Sequence, residues 1–169
     1  AQLLVYASNH AYIELEPPAF ERYLAHEGLA RIVNARAERG ETKKPGRESY
    51  ARSSKALLTV GAPGEGFDRV LGLPIELVPV DDPRRPKAPL RFRLLFEGAP
   101  LAGARVDLMP LDDLHDVTAA KTDAKGEVRF AAPEPGSYLV AATHMVRAEP
   151  PVRGDWRSEW ATFTFERAR

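Results

Sequence analysis

Residues 90–110 read LRFRLLFEGAPLAGARVDLMP, and residues 122–144 read TDAKGEVRFAAPEPGSYLVAATH. Phe92, Leu94 and Phe96 alternate with Arg91, Arg93 and Leu95, the period of a half-buried strand. Glu97-Gly98-Ala99-Pro100 then reads as a turn, because proline cannot continue a central ladder. Ala104, Val106 and Leu108 resume the alternation. Thr122-Asp123-Ala124-Lys125-Gly126 reads as a second tight turn, Asp123 being able to bond its own backbone. Val128 and Phe130 then face one way, Glu127 and Arg129 the other. Ser137 to Met145 is strongly apolar, which predicts a central strand covered on both faces.

Working outward, Pro17-Pro18 opens a helix carrying Phe20, Tyr23 and Leu24 on one face. Gly28 breaks it, Leu29, Ile32 and Val33 resume it, and Gly40 stops it. From Glu48, the spacing of Tyr50, Ser54, Leu57 and Leu58 predicts a further helix, although Leu57 to Val60 also suits a strand. Arg47, Glu48, Arg52 and Lys55 would then form surface ion pairs at helical spacing. Gly61 to Gly66 reads as a linker, and it divides the chain into 1–66 and 67–169. The first part reads as the end of a β-domain plus a helical segment. The second reads as an antiparallel sandwich of seven strands over about 74–167, closed by Trp156 to Phe165. Leu3 to Ala7 reads as a strand whose partner is expected outside this sequence, in a preceding segment or a second chain. The fold class is therefore mainly β: an N-terminal strand, two or three helices, then a sandwich.

Composition narrows function mostly by exclusion. Twenty-four basic residues balance 24 acidic ones, which argues against a nucleic-acid surface. The absence of cysteine excludes disulfides and thiolate chemistry. No apolar run reaches the roughly 20 residues of a membrane helix. No Gly-x-Ser-x-Gly setting surrounds Ser8, Ser53 or Ser54, and the glycines at 61, 64 and 66 do not form a phosphate loop. The residues therefore point to a protein that is not an enzyme.

The turn and strand pieces carry a resemblance. Gly98-x-Pro100-Leu101-x-Gly103-Ala104-x-Val106, Thr122-Asp123-x-x-Gly126-x-Val128-x-Phe130 and Pro135-Gly136-x-Tyr138-Leu139-Val140 look like the transthyretin-like and carboxypeptidase-regulatory-like sandwiches, members of a broadly Ig-like architecture. YASNHAYIELEPPAFERYLAHEGLARIVNARAERGE (6–41), RESYARSSKALLTVG (47–61), GLPIELVPVDDP (72–83) and DWRSEWATFTFE (155–166) follow the order of one bacterial family. It is the periplasmic family of unknown function once labelled a nickel-uptake substrate-specific region. Some of its members are called periplasmic components of cobalt or nickel transport. Members usually carry a signal peptide, a His-Asp-Phe-Trp-like mature start and a first β-domain, which this sequence does not contain. The resemblance implies a periplasmic binding component tied to divalent metal uptake, with a membrane transport system or another periplasmic protein as partner. The alternative is a structural or protein-interaction sandwich with no metal role.

For a metal, the chain offers imidazole and carboxylate, ligands that suit nickel, cobalt or zinc. His144, on the apolar strand, with Asp155 as its carboxylate is one candidate site. His115 with Asp113, in a short acidic cluster, is the rival. His10 and His26 read as isolated surface residues, and Trp156 and Trp160 as packing or stacking groups on the last strand.

Overall fold

The computed structural model describes residues 2–59 and 64–167, so residues 61–63 of the expected linker lie outside the described residues. In chain order, β1 (Gln2–Ala7) and β2 (Ala11–Leu15) precede α1 (Pro17–His26) and α2 (Ala30–Glu38). Then come β3 (Gly46–Leu58), β4 (Ile75–Pro79), β5 (Leu90–Phe96), β6 (Ala99–Pro100) and β7 (Arg105–Pro110). The chain ends with β8 (Thr118–Lys121), β9 (Glu127–Phe130), β10 (Gly136–Arg147) and β11 (Trp156–Arg167). The molecule is mainly β, with two helices among the described residues. None of the described helices is long and apolar enough to cross a membrane.

Two sheets face each other in an open sandwich. The larger runs β1-β3-β11-β10-β7-β8, with β2 also pairing β3. The smaller runs β4-β5-β6, with β9 also on β5. Between them lie Phe92, Leu94, Val106, Val140, Phe163 and Phe165, all buried. Phe92 meets Phe163 edge-on at 5.5 Å, a favoured aromatic geometry. The turn expected over Glu97–Pro100 is confined to Glu97 and Gly98, because Ala99–Pro100 already pair with β5 as an edge strand, where proline is tolerated; the turn at Asp123 is as expected. Glu97 and Gly98 take positive φ, which fits a two-residue hairpin between β5 and β6. Asp123 Oδ1 accepts the N–H groups of Lys125 and Glu127 at 2.8 and 2.9 Å. β10 is central, between β11 and β7.

The segment after Glu48 is a strand, not the expected third helix. Its period of two was hidden because its inward positions include Ser53 and Lys55. Pairing on both sides overrides the helical propensity of its Glu, Ala, Arg and Lys residues. Glu48 and Lys55 are consequently buried and form no surface pairs. A second correction concerns direction: β3 and β11 run parallel, Glu48 opposite Trp156. Both strands are entered from the same end. There Asp155 N–H donates to Arg47 O at 2.8 Å and Ser49 Oγ donates to Arg153 O at 2.7 Å. The large sheet thus joins strands from before and after the Gly61–Gly66 stretch. The segment from Ile75 onward contributes eight strands rather than seven, two-residue β6 included.

The helices cover one end of the large sheet on the face away from the sandwich core. Phe20, Leu24 and Ile32 pack there on Met145 and Trp156. Gly46 permits this approach, since a Cβ built at that position would lie 2.1 Å from the Phe20 ring. Buried Arg36 fixes the return into β3. It pairs with Glu21 at 2.8 Å and donates to the carbonyls of Glu41 and Lys44 at 2.7 and 2.9 Å.

Candidate functional site

The four residues singled out as metal ligands lie in three places: His144 on β10, Asp155 before β11, and Asp113 with His115 in one loop. His144 sits on β10, opposite Glu159 of β11 in register. Its ring meets Phe96 edge-on at 4.6 Å. Burial, then the neighbouring guanidinium groups of Arg31 and Arg157, push the imidazole down to about 4, so it is neutral at pH 7. Asp155 lies just before β11, whereas His144 is three ladder positions inside the β10–β11 pair. At about 3.3 Å per residue this keeps them roughly 10 Å or more apart. Asp155 is also committed elsewhere. Arg47 grips it with two bonds of 2.8 and 3.0 Å, which hold its carboxyl below the usual range, and Arg147 stands at 3.8 Å. Asp113 and His115 occupy the exposed loop between β7 and β8, where Asp113 Oδ1 accepts the His115 backbone N–H at 3.0 Å. Among the described residues, no three His, Cys, Asp or Glu side chains come together in a way that could hold a metal ion.

Sequence reading missed two arrangements. His10, in the bend between β1 and β2, reaches across β3 to Glu159, Nε2 to Oε1 at 2.9 Å. Glu159 is buried, and its second oxygen finds no partner among the described residues. These residues are separated by most of the chain, so no local signal joins them.

The second arrangement lies on the outer face of the large sheet, beside α1. Tyr23 Oη donates to Glu48 Oε1 at 3.0 Å, and Ser158 Oγ bonds the same oxygen. Trp160 Nε1 donates to Ser158 Oγ at 3.1 Å. The Tyr23 and Trp160 rings lie nearly parallel, 6.0 Å apart. Burial raises the Glu48 carboxyl above its ordinary value, and the same burial, with Glu48 beside it, raises the Tyr23 phenol. The strand period supplies the one available signal. Ser158 and Trp160 share a face of β11, and Glu48 shares the outer face of β3 with Tyr50 and Arg52.

At the other end of the same face lies the sheet's open edge. β1 pairs β3 on one side only, Leu4 opposite Ala56 and Tyr6 opposite Ser54. The strand expected to find its partner outside this sequence is thus held inside it along one edge, and its second edge is free among the described residues. Leu3 turns toward the sandwich core, which leaves Leu4 and Tyr6 on the outer face, 64% and 60% exposed. Gln2–Ala7 contains no charged residue and no proline, the usual devices that blunt an edge strand.

A family model described as Domain of unknown function (DUF4198) matches residues 5–146. No curated protein matches the chain, and no solved structure does.

Proposed function

The chain belongs to this family of domains of unknown function, and on that premise we propose that it is a non-enzymatic interaction module of the periplasm. Its working element is the free edge of β1, which receives an extended strand from a partner protein. The observation that carries this reading is the combination at β1 of an edge unpaired among the described residues, exposed Leu4 and Tyr6, and no charge along Gln2–Ala7. Strand addition to such an edge draws affinity from main-chain hydrogen bonds and specificity from alternate side chains. The periplasmic setting rests on the resemblance of residues 6–41 and 47–61 described above. A tie to nickel or cobalt uptake would enter through the partner, since no three His, Asp or Glu side chains gather as a metal site among the described residues.

The test is site-specific photo-cross-linking in the bacterial envelope. A photoreactive phenylalanine analogue at Tyr6 is expected to give one discrete adduct, and the same analogue at Arg39 on the helical side none. Leu4→Lys should abolish the Tyr6 adduct, because a charge on the strand opposes edge pairing. Equal adducts from both positions, or none from Tyr6, would defeat the reading.

A further inference from the structure

A second surface carries an inference independent of the β1 edge. We infer that the concavity between β2, α1, β3 and β11 is a binding site for a small organic cation. The recognised group is an alkylammonium or alkylguanidinium, whether a free amine or the side chain of a lysine or arginine.

The concavity measures about 210 Å³ and is walled by Tyr23, Tyr50 and Trp160, with Ile13 completing the apolar rim. Glu48 forms part of its lining although the residue is only 2% exposed. Both hydrogen bonds to this carboxyl fall on Oε1, and Oε2 receives none among the described residues. No cationic side chain among the described residues pairs with it. A carboxyl buried without a cation is costly, and a glutamine would accept the same two hydroxyl bonds without that cost. The position therefore carries a charge that no cation among the described residues balances.

The aromatic walls show what they attract. The Arg52 guanidinium lies 5.0 Å from the Tyr50 ring centroid and 5.7 Å from that of Trp160. Arg52 makes no ion pair among the described residues, so the ring faces hold it. It acts as a tethered occupant at the mouth, while the carboxyl below stays unpaired. A ligand cation on a short apolar stem satisfies both elements at once: ring faces around its charge and Glu48 Oε2 at its end. A divalent metal does not fit this lining, which supplies one carboxylate where such ions need several oxygen or nitrogen ligands.

Isothermal titration with butylammonium and with ethylguanidinium tests the site. Saturable binding is expected, weakened about ten-fold or more in Glu48→Gln and in Tyr50→Leu, as removal of a desolvated ion pair or a cation–π wall implies. Arg52→Gln should tighten binding by roughly two- to five-fold, since it removes the competing guanidinium. Unfolding in urea verifies that each variant folds, and two variants on separate strand positions keep the test open if one does not. A lysine-containing tripeptide that binds more tightly than butylammonium assigns the site to protein side chains, and equal affinity assigns it to free amines. No saturation up to about 50 mM, far weaker than desolvated cation–π contacts provide, would overturn the inference. So would equal affinity in wild type and both Glu48→Gln and Tyr50→Leu. Because neither substitution touches β1, the cross-linking result stands or falls separately.

Discussion

Lys55 of β3 and Glu76 of β4 meet at 2.8 Å inside the sandwich, each side chain 1% exposed, and so tie the large sheet to the small one. Lys55 also donates to the Arg69 carbonyl at 3.2 Å, while Glu76 accepts the N–H groups of Leu71 and Gly72 at 2.8 and 3.1 Å. Burial alone lowers the lysine's proton affinity, and Glu76 opposes that shift. The pair explains how a lysine can stand at an inward position of a strand.

Removing one member strands the other. Lys55→Met is expected to cost about 3–5 kcal/mol in urea unfolding, the usual penalty for an uncompensated buried charge. Glu76→Leu should cost more than Lys55→Met, because it also releases the backbone of residues 71–72. The double variant should recover part of the summed loss, and strict additivity would show that the two residues do not interact.

His144 should make stability depend on pH. Its folded-state value is about 4, below the ordinary 6.5, so the unfolded chain takes up the proton first as pH falls. The contribution is fully present above about pH 6.5 and is lost progressively down to about pH 4, amounting to about 2 kcal/mol after allowance for partial solvent screening. His144→Gln should flatten the difference in urea midpoint between pH 7 and pH 4.5 relative to wild type. An unchanged slope would show that Arg31, Arg157 and burial do not act on the ring as described.

The docking of α1 depends on Gly46. Gly46→Ala places a methyl group into the Phe20 ring, and overpacking of this kind costs about 1–3 kcal/mol. Hydrogen exchange should rise selectively over Pro17–His26, with the strands of the sandwich unaffected. A uniform rise across the whole chain would contradict a local role.

Nickel titration separates the interaction reading from a metal role of this chain. His144→Ala and His115→Ala are each expected to leave nickel binding at the wild-type level. The reasons are the cationic neighbours of His144 and the engagement of Asp155 with Arg47. A loss of binding in either variant would restore the metal reading.

The elements legible in the sequence were those whose burial is written in apolar side chains. Ser137 to Met145 announced a central strand, and Phe20, Tyr23 and Leu24 announced a helix, because each pattern follows the period of its element. β3 does not show its period in the sequence, because its core-facing positions hold Ser53 and Lys55, whose burial depends on Glu76 and on neighbouring strands. The open β1 edge is legible as an unsatisfied strand, but its pairing with β3 is not, because the sequence of β3 carries helical spacing. The Glu48 concavity draws on α1, β3 and β11, so only the completed sheet brings its residues together. His144 and Asp155 were grouped by ligand chemistry alone, and the register set them apart.

The parallel pairing of β3 with β11 sets an order on synthesis. Glu48 must wait for Trp156, 108 positions later, before its strand gains a neighbour on that side. At about 5–20 residues per second, translation leaves β3 incomplete for about 5–20 s. Through that interval the chain presents Leu57 and the strand's unpaired backbone to any sticky neighbour. Such high contact order slows folding and rewards a chaperone that holds the polypeptide open until β11 is delivered.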